Sequence, residues 1–349
     1  MCSRRRKNRE FERKDKGVAR ILQSSVKQRL LEAFSEADGE FVSGQALAEI
    51  VGCSRTAIWK HIEALRSEGF ELEAVRKKGY RIIHKPDKVT ENEVLIGLQT
   101  EWLGKEIVFK ETTDSTQKEA HRLAQEPFKE GTVVIAEEQT AGRGRMAREW
   151  HSPKHTGIWM SVILKPALPP YKAPQFTLIT AVAIVEAIME VTGLQPEIKW
   201  PNDILLNGKK ITGILTELQA DADQIHSIII GIGLNANQKE FPEELAEIAT
   251  SLAIEKGEHV SRSQLVQEIL KNIETYYHVY MKDGFTDIKK RWERYAVSIG
   301  KQITARTVTA TIKGKALGIT EEGVLKLLDD EGTIHDIYSA DIEINKTAE

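Results

Sequence analysis

The stretch Ile198-Lys199-Trp200-Pro201-Asn202-Asp203-Ile204-Leu205-Leu206-Asn207-Gly208-Lys209-Lys210-Ile211-Thr212-Gly213-Ile214-Leu215-Thr216-Glu217-Leu218 alternates short apolar runs with turn residues. Ile198–Trp200 and Ile204–Leu206 read as short strands. Asn207-Gly208 is a dipeptide that accepts the positive φ angles of a tight hairpin turn, so the chain folds back into a third strand, Ile211–Leu218. Downstream, Ile225–Leu234 is a further apolar strand, followed by helices at Phe241–Ala249 and Ser263–Met281. Upstream, Val133–Glu137 and Ile158–Leu164 read as strands. Pro174–Val191 is a helix that is apolar on nearly every side, as a helix buried between layers must be. Strands joined by hairpins with few helical crossovers predict a mixed or mostly antiparallel sheet of the α+β class.

Outside this central region the texture changes on both sides. Toward the C-terminus, Ile303–Thr311, Lys313–Thr320, Val324–Leu328 and Thr333–Tyr338 are short strands punctuated by Gly314, Gly318, Gly323 and Gly332. That spacing fits a small β-barrel of about 45 residues. Toward the N-terminus, Leu30, Leu31 and Phe34 mark a helical face that Asp38-Gly39 breaks. Ser43 then caps a helix carrying Leu47, Ile50 and Val51, and Ser54 caps another after the Gly52-Cys53 turn. In that third helix Ile58, Ile62 and Leu65 face inward, which turns Arg55, Thr56, Trp59 and Lys60 outward. Phe70, Leu72 and Ala74 alternate, Arg76-Lys77-Lys78-Gly79 makes a basic turn, and Tyr80 and Ile82 alternate again. Two helices across a tight turn followed by a basic-tipped hairpin are the parts of a winged helix-turn-helix. Ser54, Arg55, Thr56, Trp59, Lys60, Lys77 and Lys78 are its candidate DNA contacts, because the recognition helix presents donors from its first turns. The plainer alternative is a three-helix bundle with a solvated charged face.

Lys85-Pro86-Asp87-Lys88 reads as a linker. The first 20 residues hold nine basic and three acidic side chains and few apolar ones. They read as a disordered leader spanning residues 1–25 or as a DNA-contacting arm. The domains expected are therefore the leader at 1–25, the winged helix at 26–85, a central domain at 86–298 and the small barrel at 299–349.

With 49 Lys+Arg, 52 Asp+Glu and a net charge of −3 in 349 residues, the chain is not one that coats nucleic acid along its length. Two cysteines, Cys2 and Cys53, supply neither a disulfide framework nor a cysteine-based zinc site. The longest uncharged run, Ala173 to Val185, falls short of the ~20 residues of a spanning helix. The expectation is a soluble cytoplasmic protein with no membrane partner.

No GxxxxGK[ST], GxGxxG, HExxH, CxxC or GxSxG occurs, so several chemistries have no candidate. What stands out is Gln139-Thr140-Ala141-Gly142-Arg143-Gly144-Arg145, closing with Arg148 and Trp150. Glycines let backbone approach a ligand, and arginines offer rigid forks to anions. Lys199, Asn202, Asp203 and Lys210 cluster at a strand end, as a phosphate and a hard cation such as Mg²⁺ require. Asp114-Ser115-Thr116-Gln117 begins a helix, where Ser115 is either a cap or a ligand contact. Gly231-Ile232-Gly233-Leu234-Asn235 closes an apolar strand on one amide.

In that order these motifs resemble the bacterial biotin protein ligases. The helix-turn-helix in front and the barrel behind match their bifunctional form, the biotin–[acetyl-CoA-carboxylase] ligase that is also the biotin operon repressor. The resemblance covers roughly residues 27–345. It implies a winged helix, a central mixed-sheet domain of class II synthetase-like type, and an SH3-like barrel. It also implies that biotin and MgATP give biotinyl-5′-AMP, whose biotinyl group passes to a lysine of the biotin carboxyl carrier protein. Biotin contacts carry over to Ser115, Thr116, Gln117, Gln139, Arg143, Gly144, Arg145 and Lys210. Lys199, Arg143 and Lys210 become the catalytic residues. Arg145, Arg148, Trp150, Asn202, Asp203 and Asn235 fall on the ATP side, with Asp203 as the Mg²⁺ ligand. The DNA-reading motif falls on about Gly44–Glu63. Biotinyl-AMP would order the arginine loop, favour a homodimer and act as corepressor on operator DNA.

Leu234 stands where the family commonly has Ile, and the leader has no counterpart. Two other readings stay open: a ligand-sensing repressor without catalysis, and a ligase of the related lipoate class.

Overall fold

The computed structural model describes residues 26–345 except 28, 38, 68 and 85; the basic leader lies outside the described residues. The chain divides into two compact units. One ends at Asp87 and takes back Asn92–Gly97; the other comprises Lys88–Glu91 and everything from Leu98 onward.

The first unit contains helix α1 (29–36), α2 (Gly44–Val51) and α3 (Arg55–Ser67), then an antiparallel hairpin of β1 (Glu71–Val75) and β2 (Gly79–His84). Local chemistry sets these limits. Ser43 Oγ accepts from Ala46 N at the start of α2, Gly52 leaves it in the left-handed conformation, and Ser54 Oγ accepts from Ala57 N at the start of α3. Leu30, Leu31, Phe34, Leu47, Val51, Ile58, Ile62, Leu65, Phe70 and Leu72 form the core. Ala74, expected inside the hairpin, is exposed, because β1 runs out beyond the core. Gly79 (φ +115°) has no substitute: an added Cβ would lie 2.0 Å from Val42 O, where Val42 pairs with Tyr80. Ser54, Arg55, Thr56, Trp59, Lys60, Lys77 and Lys78 are all exposed, Trp59 by 54%.

Helix α4 (Glu91–Leu95) falls almost wholly in the segment that returns to the first unit. The second unit carries β3 (Ile107–Lys110), α5 (Thr116–Leu123), β4 (Val133–Ala136) and β5 (Gly157–Leu164). Helix α6 (Ala173–Thr192) follows, then β6 (Glu197–Lys199), β7 (Asp203–Leu206), β8 (Lys209–Ala220) and β9 (Ile225–Asn235). The seven strands form one sheet in the order β3-β4-β5-β9-β8-β7-β6, with only β3 and β4 parallel. The sheet is mixed, as expected. Asn207 (φ 50°) and Gly208 (φ 79°) turn the β7–β8 hairpin.

By length and composition Pro170–Thr192 could cross a membrane, a possibility that counting only uncharged residues had missed. In the fold this segment is the core helix α6, packed on the sheet and on α9 (Arg262–Asp283). The helix expected over Phe241–Ala249 shrinks to α7 (Glu243–Ala246), since Pro242 can begin a helix but not sit inside one. Helices α8 (Leu252–Lys256) and α10 (Thr286–Tyr295) and strand β3 were not anticipated.

The C-terminal segment is a five-stranded antiparallel sheet of β10 (Gln302–Arg306), β11 (Thr311–Ile319), β12 (Leu325–Leu328), β13 (Ile334–Ile337) and β14 (Asp341–Ile344), ordered β13-β12-β11-β10-β14. The single strand expected at Ile303–Thr311 breaks at 307–310. There Thr307 Oγ1 accepts from Thr309 N and Ala310 N and closes a turn.

Candidate active site

Side chains alternate across a sheet. Gly213, Leu215 and Glu217 of β8 and Gly231 and Gly233 of β9 therefore share the face that carries α5, while Thr216 turns to the opposite face and meets Thr177 of α6. On the α5 face lies a cavity of about 610 Å³. Every residue expected to touch biotin or ATP lines it, contributed by α5, the arginine loop, the β6–β8 strands and the end of β9.

Ser115 occupies the N-cap position of α5, yet its hydroxyl makes no capping bond and is buried. Asp114 Oδ1 instead accepts from Ser115 N at 2.8 Å. Thr116 donates from both N and Oγ1 to Gln139 Oε1 (2.9 and 3.2 Å), and Gln139 Nε2 donates to Ser152 Oγ. Ser161 Oγ lies within hydrogen-bond distance of Thr116 Oγ1 and Gln117 Oε1. This network fixes the Gln117 and Gln139 amides in the cavity wall.

The arginine loop is tied down at three points. Arg143 Nη2 donates to Glu217, Arg145 reaches Asn202 Oδ1 (3.0 Å) and Ser339 Oγ (2.7 Å), and Arg148 pairs with Asp341. Met146 and Ala147 both hold left-handed φ angles (55° and 57°), unusual outside glycine. Burial lowers the Arg145 pKa. The hydrogen bond from Arg148 holds the Asp341 carboxyl below the usual range against some burial, with help from Arg145 and Lys199.

At the strand end, Asn202 Nδ2 donates to Ile214 O, and Asp203 Oδ1 lies 2.6 Å from Lys210 Nζ. Lys210 also stands over the Trp150 ring, 5.2 Å from its centroid. The indole fits only because its neighbours are glycines: a Cβ on Gly233 would come within 2.4 Å of Trp150 Nε1, and one on Gly213 within 3.0 Å of its ring. The Lys199 ammonium donates to no protein group among the described residues, and its charge is felt at Asp341. Among the described residues, Trp150 Nε1 and Arg143 Nε are buried donors without a protein partner. Such donors and a glycine cradle suit a flat ligand with anionic groups.

Asn235 lines the cavity, but its amide is engaged with Thr250 O and Gln238 Nε2. Among the described residues no three His, Cys, Asp or Glu side chains converge as a cation site.

Sequence reading missed Glu217, His121, Ser161, Ser339 and Asp341. Only Glu217 had a signal, its alternation with Gly213 and Leu215. Burial raises its carboxyl pKa, but hydrogen bonds from His121 and Gln117 and the Arg143 charge bring it below the usual range.

The chain matches the pattern of the Biotin/lipoate A/B protein ligase family over residues 108–235. An HTH domain matches at 26–81 and the Biotin protein ligase C terminal domain at 298–344. The bifunctional ligase/repressor BirA of Bacillus subtilis is 54% identical over 93% of this chain and all of its own length. The same-named protein of Escherichia coli is 29% identical over 88% of this chain and 94% of its own. A structure of the Aquifex aeolicus biotin protein ligase in complex with biotin and ATP superposes with a TM-score of 0.61 at 31% identity, covering 70% of this chain and all of that one. A cavity lined by the expected residues, a helix-turn-helix unit in front and a similarity spanning the whole length of a relative agree, and the chain belongs to the biotin protein ligase family in its bifunctional ligase/repressor form.

Proposed function

We propose that this chain activates biotin with ATP to biotinyl-5′-AMP, transfers biotin to a lysine of the biotin carboxyl carrier protein of acetyl-CoA carboxylase, and represses the biotin operon. The observation that carries the ligase reading is one cavity in which Arg143, Arg145, Lys199 and Lys210 converge from three elements while Lys199 keeps an uncommitted ammonium. In the first step a biotin carboxylate oxygen bonds to the α-phosphorus of ATP as the bond to the bridging oxygen breaks and pyrophosphate leaves. Both partners are anionic, and two unit charges ~4 Å apart repel by about 4 kcal/mol at an effective dielectric near 20. Lys199 between carboxylate and α-phosphate, with Lys210 and Arg143, offsets that repulsion; no enzyme nucleophile is needed. In the second step the neutral amine of the carrier lysine attacks the anhydride carbonyl, the acyl–oxygen bond breaks, AMP departs and the nitrogen loses a proton.

Biotin is assigned to Ser115, Thr116, Gln117, Gln139, Arg143, Gly144, Arg145 and Lys210, and ATP to Arg145, Arg148, Trp150, Asn202, Asp203 and Asn235. For Asn235 the committed amide supports a positioning role at the adenine side. Mg²⁺ needs few protein ligands when phosphates supply the rest, so Asp203 alone is compatible with it once released from Lys210. The ion would neutralise phosphate charge. The C-terminal sheet is assigned as an SH3-like barrel and the central domain as class II synthetase-like. The domain limits proposed are 26–85, 86–298 and 299–349.

Ser54, Arg55, Thr56, Trp59, Lys60, Lys77 and Lys78 are assigned to operator DNA. Their exposure on α3 and the wing tip supports this, and the cytoplasm is the compartment proposed. Biotinyl-AMP is proposed as corepressor of a homodimer that sets two winged helices on two half-sites. Biotin-dependent exchange of pyrophosphate into ATP and labelling of the purified carrier test the enzyme. Sedimentation with and without biotin plus ATP tests the dimer; an unchanged monomer would sink that part.

A further inference from the structure

Glu217 stands behind the cavity wall, and its carboxylate collects three donors. Gln117 Nε2 (3.0 Å) and His121 Nε2 (2.9 Å), one turn apart on α5, and Arg143 Nη2 (3.1 Å) all reach Glu217 Oε2. The second ring nitrogen of His121 lies 3.4 Å from Gln219 Nε2, and Ser227 Oγ donates to Gln219 Oε1 at 3.2 Å. A neutral imidazole with its proton on Nε2 satisfies both of its contacts at once. One continuous chain of side chains thus joins β9, β8, α5 and the arginine loop.

Guanidinium is a planar, rigid fork. Holding Nη2 on Glu217 fixes the plane of the Arg143 head and leaves its buried Nε without a protein partner among the described residues. Gln117 shares the carboxylate: its Nε2 donates most closely to Glu217 and also to Ile229 O and Leu215 O, its Oε1 lies near Ser161 Oγ, and Gly231 leaves the room it needs, since a Cβ there would sit 2.6 Å from Gln117 Oε1. We infer that Glu217 is a positioning residue for biotin, holding the Arg143 guanidinium and the Gln117 side chain in place in the cavity lining without touching the ligand itself. The inference rests on the biotin ligase reading above.

Electrostatics alone gives the opposite sign. A negative charge beside an anion-binding arginine weakens its pull on a carboxylate, so removing it should tighten biotin binding. Positioning requires that removal weaken it. The test uses the full-length protein with Glu217→Gln, nearly the same shape, and Glu217→Ala. Biotin Kd is read by equilibrium dialysis and kinetics by biotin-dependent ATP–pyrophosphate exchange. The expected result is a rise of roughly 10- to 100-fold in biotin Kd and KM, the usual cost of losing an orienting partner. The KM for ATP should stay within about threefold. Glu217→Asp should recover part of the affinity, and the double variant Glu217→Ala/Arg143→Ala should lose less than the sum of the two single losses. Unchanged or tighter binding by Glu217→Gln, or additive losses in the double variant, would overturn the inference while wild-type exchange leaves the ligase reading standing. Wild-type protein without biotin-dependent exchange would overturn both.

Discussion

Lys199→Ala removes the charge on which adenylation is proposed to depend. The side chain ends β6 at the cavity, makes no ion pair among the described residues, and its ammonium has no structural partner to abandon. Its removal should therefore shift melting by less than the effect of an ordinary surface substitution, within about 0.5 kcal/mol. The chemical cost is different. The attacking carboxylate and the α-phosphate repel by about 4 kcal/mol at ~4 Å, and Lys199 shares the offset with Lys210 and Arg143. Loss of one preorganised charge of this type costs roughly 2–4 kcal/mol, a fall of roughly 30- to 900-fold in kcat for biotin-dependent pyrophosphate exchange. Biotin affinity should fall less than turnover, because the charge does most when the two anions meet. Exchange within threefold of wild type, in a protein that melts normally, would refute the reasoning.

Three further outcomes are expected. Gly233→Ala puts a methyl group 2.4 Å from Trp150 Nε1, so the indole must move; substrate-induced quenching of tryptophan fluorescence should disappear while far-ultraviolet circular dichroism is unchanged. Arg55→Ala or Lys77→Ala should weaken operator binding and reduce its salt slope by about one if each meets one phosphate, with exchange activity untouched. Asp341 has a carboxyl held below its unfolded value, chiefly by Arg148. Its contribution to stability is thus present above the unfolded pKa of about 3.9 and lost as pH falls through the lower folded value. Asp341→Asn should flatten the dependence of Tm on pH in that acid window and leave the slope above pH 5 as it was.

Strand alternation and the Asn207-Gly208 turn made the β7–β9 part of the sheet legible, because a two-residue hairpin fixes its own register. Ser43, Ser54 and the inward spacing of Ile58, Ile62 and Leu65 did the same for the helix-turn-helix. The site was readable because its residues lie in short local clusters. What stayed hidden depends on distance in the chain. Glu217 gains meaning only when α5 and the arginine loop are laid across β8, and Asp341 only when the C-terminal sheet docks beside Arg148. Strand β14 is short and Asp341–Ile344 carries two acidic residues, so its pairing with β10 decides its conformation more than propensity does. The helix over Phe241–Ala249 was overcalled because its apolar spacing outweighed Pro242.

Arg145 grips Ser339 across 194 residues of sequence, and Arg148 grips Asp341 across 193. During synthesis the arginine loop emerges long before the residues that hold it. A nascent chain can build its sheet, bury α6 and form the β7–β9 hairpins while this clamp still has no counterpart. The tether on Arg148 is then completed only after Asp341 has left the ribosome, so the loop gains this hold later than the sheet beneath it gains its strands.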